Sequence, residues 1–317
     1  MPFREFLQRI IPTVNRRIEE AASSGEGIDP SLLPLLAKGK RMRAGLLLHV
    51  YTALTRTAAP TSKALDLACA VELAHAASLI LDDMLDGDAL RRGVPAHHLT
   101  RGEGRAVLDA VGILALPYAL AAPYGAGYVA MLASTQQSMA RGVAWEMLGG
   151  PRLPAAELYD AVITRKTGCL FSLAAAWGAM AAGEDDSIVA AFTSFGLAAG
   201  KAMQIADDIA DLHALASGAR NHRPGSEALL LRCASGEPGD DGARQALASM
   251  LESEIASAAA RITDGAGRRV SSEDQEAFGQ AVRDIVEIML AEGVPDGGSP
   301  SREPSRNDKY RPAPHSS

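Results

Sequence analysis

The sequence predicts an all-α protein, and three features carry that prediction. Alanine is abundant while β-branched residues are sparse, a bias toward helix. Apolar residues recur at helical spacing from the first stretch onward. No stretch alternates apolar and polar residues for long enough to build a sheet. With 317 residues, 47% hydrophobic and 22% charged, the chain can bury a sizeable core. Residues 1–292 are expected to form a single domain. From 293 to 317 Pro, Ser, Gly and Arg dominate, and a disordered tail is expected.

In chain order, residues 3–22 read as an amphipathic helix with Phe3, Phe6, Leu7, Ile10, Val14 and Ile18 on one face. Residues 24–30 form a break, after which Ser31 can cap a short helix. Lys38, Lys40, Arg41 and Arg43 then crowd around Gly39, in a loop that enters a helix over about 41–54. Such a cluster can bind a diphosphate, or be a solvated turn. Residues 61–85 read as a long apolar helix carrying Glu72 and His75, with His75 two turns before Asp82 on the same face. His97 and His98 read as turn or surface residues. Residues 110–140 contain no charge. Pro117, Pro123, Gly112, Gly125 and Gly127 interrupt the stretch, so two buried helices joined by a turn fit better than one membrane span. A helix over 135–148 carries Trp145 and Glu146, and 149–154 is a break. Residues 155–182 read as a helix with Arg165, Lys166, Thr167 and Gly168 in its middle, oddly polar for so apolar a segment. Helices are expected at 187–215, 243–262 and 273–291, with a Gly/Pro-rich loop or lid over 217–241.

Charge and cysteine usage narrow the function. A formal net charge of −7 without a basic stripe argues against nucleic acid as a partner. Cys69, Cys169 and Cys233 are scattered without metal spacing and suit a reducing compartment. The first twenty residues carry charge throughout with no apolar core of a signal peptide, so a cytoplasmic setting is expected.

Two acidic clusters carry the chemistry. Asp82, Asp83 and Asp86 follow an apolar run and precede Arg91 and Arg92; Asp207, Asp208 and Asp211 repeat the spacing on another apolar helix. Residues at i and i+4 share a helix face, so each cluster concentrates carboxylates where repulsion and burial both disfavour them unless a cation intervenes. One such motif is no more than an acidic turn. Two, on helices able to face each other, suit a diphosphate bridged by Mg²⁺, which takes one or two carboxylates plus phosphate oxygens. Arginine and lysine supply the matching phosphate donors.

Taken together, GKRMR (39–43), ELAHAASLILDDMLDGDALRRG (72–93), RKTGCLF (165–171) and FGLAAGKAMQIADDIADL (195–212) resemble the ordered motifs of the trans-isoprenyl diphosphate synthases. The resemblance spans about residues 30–215. It implies an isoprenoid-synthase-type helical bundle around a central cavity, a homodimer, three Mg²⁺ ions, and isopentenyl and allylic diphosphates as substrates. It implies metal binding by Asp82, Asp83, Asp86, Asp207, Asp208 and Asp211, with Lys166 joining the catalytic set. Lys40, Arg43, His75 and Arg92 are similar to residues holding isopentenyl diphosphate; Arg91, Lys166, Thr167 and Gln204 to those holding the allylic diphosphate. Metal ions would act as Lewis acids so that the allylic C–O bond ionises, and an apolar cavity would protect the cation from water. The chain departs from the family at Ala44, Leu81 and Val143, and in a short SGARNHRPG segment offering only Arg220 and Arg223. Small residues at Ala74, Ala77 and Ser78, upstream of Asp82, imply a product longer than fifteen carbons, with geranylgeranyl diphosphate expected. A class I terpene cyclase is the alternative, but 4% aromatic content gives little to stabilise a migrating cation. A non-catalytic subunit would be expected to have lost one cluster, and both are intact.

Overall fold

The computed structural model describes residues 1–24, 28–37, 39–91, 94–216 and 241–291. Twelve α-helices lie within them: α1 (Phe3–Ala22), α2 (Leu33–Ala37), α3 (Met42–Thr55), α4 (Ser62–Leu85), α5 (His97–Arg101), α6 (Glu103–Ala121), α7 (Ala126–Leu148), α8 (Ala155–Ile163), α9 (Cys169–Ala182), α10 (Asp186–Ala216), α11 (Asp241–Ala266) and α12 (Ser272–Leu290). A two-stranded antiparallel hairpin, β1 (Leu90–Arg91) and β2 (Val94–Pro95), is the only sheet among them. Its strands are too short to carry the alternation by which a strand is read from sequence.

The architecture follows from where the apolar residues fall. The stripe expected on α1 is buried: Phe3, Phe6, Leu7, Ile10, Val14 and Ile18 all face inward. α9 is apolar on nearly every side and sits at the centre, against α3, α4, α7 and α10. α10 packs on α9, α11 and α12, while α4 packs on α6. Glycine permits α10 to cross α9 closely, since a Cβ at Gly200 would lie 2.7 Å from the Phe171 Cβ. Thr61 caps α4, its side chain accepting from the Ala64 N–H. The short helical stretch after the first break is capped by Asp29, which accepts from the Ser31 N–H, rather than by Ser31.

Three further expectations need correction. The uncharged stretch does break at a 3₁₀ turn, Ala122–Tyr124, but the second helix runs unbroken to Leu148, so 135–148 is not a separate element. α6 is only partly buried: Val107, Leu108 and Val111 are exposed, at 69% for Leu108. Among the described residues three helices have the length and composition to cross a membrane; α4 and α10 bury most of that surface inside the bundle, α6 a third of it. His97 and His98 are not surface residues: His97 Nε2 lies 2.8 Å from Asp109 Oδ2, and His98 is buried. The expected loop over residues 217–240 and the tail from 293 lie outside the described residues.

Candidate functional site

The first acidic cluster ends α4. Asp83 is buried, at 2% side-chain exposure, and accepts from Arg91 Nε at 2.7 Å and from a second nitrogen of the same guanidinium. The hairpin that follows the helix therefore brings Arg91 back onto the cluster. Asp82 and Asp86 are half-buried. Burial pushes the Asp82 carboxyl up to about 6; nearby Lys166 opposes this, and Asp86 and Glu146 add to it. Burial raises Asp86 too, against Lys166, with Glu146, Asp88 and Asp83 adding. Lys166 Nζ bonds Glu146 Oε2 at 2.6 Å, with Glu146 almost fully buried. Burial disfavours the ammonium, but Glu146, Asp82 and Asp86 outweigh it and raise its pKa. One lysine thus stands among three carboxylates drawn from α4 and α7.

The second cluster lies on α10. Asp208 is buried, and both its oxygens accept hydrogen bonds: Oδ2 from the Tyr159 hydroxyl at 2.6 Å, Oδ1 from Gln204 Nε2 at 3.1 Å. Burial, with Asp207 and Asp211 adding, pushes its carboxyl up to about 8 against those two bonds. Gln204 Oε1 accepts from Thr167 Oγ1 at 2.6 Å. Glu146, Tyr159, Lys166, Gln204 and Asp208 line one small cavity, so the two clusters are joined through Lys166 and Thr167. Arg43 reaches the second cluster from α3. Its guanidinium lies over the Phe171 ring, 4.8 Å from the centroid, and Asp207 is among the charges acting on it. Its buried Nε has no hydrogen-bond partner among the described residues, so one donor of a buried cation is unspent.

Local folding explains this convergence. The segment expected as one helix over 155–182 is broken by a π-helical turn, Thr164–Gly168. An inserted turn of this kind rotates successive side chains relative to the α pattern and recurs at functional sites. Here Lys166 bonds α7 while Thr167 bonds α10. Gly142 lets α7 approach the turn, because a Cβ there would lie 2.6 Å from the Lys166 backbone nitrogen. Arg41, just before α3, has a left-handed backbone, φ 54°. Asn15 Oδ1 at 2.7 Å, the Leu36 carbonyl and Glu72 at 3.6 Å hold it there, fixing the start of the helix that carries Arg43.

Other expected residues are placed differently. Lys40 Nζ lies 3.2 Å from Met289 Sδ on α12. His75 is half-buried on α4, and its carbonyl accepts from Ser78 Oγ at 2.8 Å. Lys38, Arg92, Arg220 and Arg223 lie outside the described residues. Among the described residues no three carboxylate, imidazole or thiol groups converge closely enough to hold a metal ion by themselves. Glu146 and Tyr159 are the site residues that sequence reasoning missed. A lone carboxylate on so apolar a helix was the signal for Glu146, because burial demands a cation. Nothing in the sequence marks Tyr159.

Comparison with known proteins shows the family. The polyprenyl synthetase family profile matches residues 29–220, more than half of the chain. A geranylgeranyl diphosphate synthase of Pseudescherichia vulneris is 37% identical over 69% of this chain and 73% of its own length. A geranylfarnesyl diphosphate synthase of Methanosarcina mazei is 33% identical over 54% of this chain and 57% of its own length. The solved polyprenyl synthase of Caulobacter crescentus CB15, complexed with calcium and isoprenyl diphosphate, superimposes with a TM-score of 0.70. It covers 91% of this chain and 97% of its own at 23% identity, a likeness of fold. With its paired acidic clusters joined across one helical bundle, the chain belongs to the polyprenyl synthetase family of trans-prenyltransferases.

Proposed function

We propose that the protein condenses isopentenyl diphosphate with an allylic diphosphate, using Mg²⁺, and that its main product is geranylgeranyl diphosphate. The observation that carries the reading is the convergence of Lys166, Glu146, Gln204 and Asp208 between the two acidic clusters. The donor set fits Mg²⁺. It is all oxygen, and burial raises Asp82, Asp86 and Asp208, the signature of carboxylates short of positive charge. No three of the described groups enclose an ion alone, which suits a cation completed by diphosphate oxygens and water. Of the six aspartates expected as ligands, Asp83 is engaged by Arg91 and Asp208 by Tyr159 and Gln204; in this reading Asp82, Asp86, Asp207 and Asp211 would hold the metal, with three ions expected. When bound, Mg²⁺ supplies Lewis-acid polarisation of the diphosphate.

The chain's own residues do the rest. Lys166, oriented by Glu146, places a fixed positive charge where the leaving diphosphate gains negative charge. Thr167 and Gln204 orient the same group from the α10 side. Arg43 offers its unspent donor to the second diphosphate. Ser78 shares the face of Asp82, one turn upstream, and is half-buried, whereas Ala77 and Ala74 are packed into the core. Small side chains there leave depth for a chain beyond fifteen carbons, at about 5.4 Å per helical turn.

The protein is further proposed to be a cytoplasmic homodimer. Val107, Leu108 and Val111 give α6 an exposed apolar face that a second copy would cover, and Cys69 and Cys169 are free thiols. The test is incubation with isopentenyl diphosphate, labelled farnesyl diphosphate and Mg²⁺, followed by sizing of the product. A labelled twenty-carbon product is expected, shortened to fifteen carbons in Ser78→Phe when geranyl diphosphate is the starter. No elongation at all contradicts the reaction; elongation past twenty carbons contradicts the assigned length.

A further inference from the structure

One buried group at the site has no part in the scheme above. Tyr159 projects from α8 and is 2% exposed. Its hydroxyl donates to Asp208 Oδ2 at 2.6 Å. The other oxygen of Asp208 takes the amide N–H of Gln204 at 3.1 Å, and the Gln204 carbonyl in turn takes the Thr167 hydroxyl at 2.6 Å. The chain Tyr159–Asp208–Gln204–Thr167 therefore runs from α8 through α10 to the π-helical turn. Every link has a direction. Gln204 presents its carbonyl to Thr167 only while Asp208 claims its N–H side, and Asp208 holds that position only while its second oxygen is anchored.

Helix α8 has a separate attachment. Asp160, the next residue, bonds Lys201 Nζ on α10 at 2.6 Å, and Lys201 also pairs with Glu254 on α11. The docking of α8 onto α10 thus does not depend on the Tyr159 hydroxyl, while the ring itself fills core space. Removing the oxygen alone leaves both the ring and the Asp160–Lys201 pair in place.

We propose that Tyr159 is a positioning residue: its hydroxyl fixes Asp208, and through it sets the orientation of Gln204 and Thr167 toward the allylic diphosphate. This rests on the prenyl-transfer reading above and assigns no direct contact between Tyr159 and substrate. The role is selective for one substrate, because the hydrogen-bond chain ends at Thr167, whereas Arg43 is held by Phe171 and α3 and lies outside it.

The experiment compares the parent with Tyr159→Phe, Asp208→Asn and the double variant, as full chains with Mg²⁺. Binding of farnesyl thiodiphosphate, an unreactive allylic analogue, is measured by calorimetry beside binding of isopentenyl diphosphate. Thermal unfolding is followed in parallel. In Tyr159→Phe the analogue is expected to bind about tenfold more weakly, the worth of one hydrogen bond to a charged group. Isopentenyl diphosphate should bind within about twofold of the parent, by the same reckoning of one tenfold step per 1.4 kcal/mol. In the Asp208→Asn background the Tyr159 change should add little, since residues acting through one another are non-additive. Equal weakening for both diphosphates, full additivity, or parent-like binding of the analogue each overturns the role of Tyr159. A parent that binds neither diphosphate overturns the prenyl-transfer reading as well, so the two failures are distinguishable. Should Tyr159→Phe unfold early, Gln204→Met reports on the same chain: it removes the amide that joins Asp208 to Thr167 without adding charge, and the same selective loss is expected.

Discussion

The two acidic clusters share a spacing but settle their middle carboxylate by different physics. Asp83 is neutralised by a cation, Arg91, which the hairpin folds back onto it. Asp208 receives only neutral donors, Tyr159 and Gln204, and is pushed up to about 8. An ion pair compensates burial of charge directly, whereas two neutral hydrogen bonds do so in part. The first cluster is therefore complete by itself around Asp83. The second depends on a neighbouring helix and on whatever cation reaches Asp207 and Asp211 beside it. Identical motifs thus predict unequal dependence on surroundings.

The largest expected effect treats the clusters as equals. Asp82→Ala and Asp207→Ala should each slow turnover by about two orders of magnitude or more, as loss of a Lewis-acid ligand implies. Steady-state kinetics at saturating Mg²⁺ check this, and near-parent turnover in either variant breaks the pairing. A smaller effect is expected at Glu146→Gln, which leaves Lys166 beside Asp82 and Asp86 without its anchor. The Michaelis constant for the allylic substrate should rise about tenfold, one charged hydrogen bond, with that for isopentenyl diphosphate little changed. The two substrates responding in reverse would move Lys166 to the other diphosphate.

Smaller still is the pH dependence of the metal-free protein. Asp82 and Asp208 are raised in the folded state, so the stability they contribute is present below about pH 4 and is lost as pH rises through about 6 and about 8. His49 has the opposite sign. Enclosed by Phe3, Phe6 and Phe278, it is pushed down to about 4 by burial. Its contribution is present above about pH 6.5 and is lost as pH falls through about 4. Melting scans without Mg²⁺ should therefore show stability falling by a few degrees from pH 5 to pH 8. Mg²⁺ with inorganic diphosphate should offset most of the fall. A flat profile would mean that the carboxylates are not strained by burial. The least effect on chemistry is expected at Leu108→Glu, which should convert a dimer to a monomer in light scattering. A parent already monomeric would leave the α6 face to another partner.

Much of this was legible in the sequence because helical periodicity and composition act locally. The stripe of α1, the long α4 and α10, and the aspartates at their ends needed only spacing. What stayed hidden depends on contacts between distant residues. Tyr159 and Asp208 are 49 positions apart, and no local rule joins them. The π-helical turn at Thr164–Gly168 leaves the apolar pattern of 155–182 intact, so that segment reads as one helix. Val111, within the uncharged stretch, is apolar whether it faces a core or open surface, so hydropathy alone buried it wrongly. His97 reads as a turn residue until Asp109, twelve positions on, is seen beside it.

The central claim is that the two clusters form a single diphosphate site joined through Lys166. Calorimetric titration of the parent, Asp82→Ala and Asp207→Ala with inorganic diphosphate in excess Mg²⁺ tests it most directly. The account predicts measurable binding to the parent and loss of at least about tenfold in both variants, one 1.4 kcal/mol step or more. Undiminished binding in either variant would contradict it, because diphosphate would then need only one cluster.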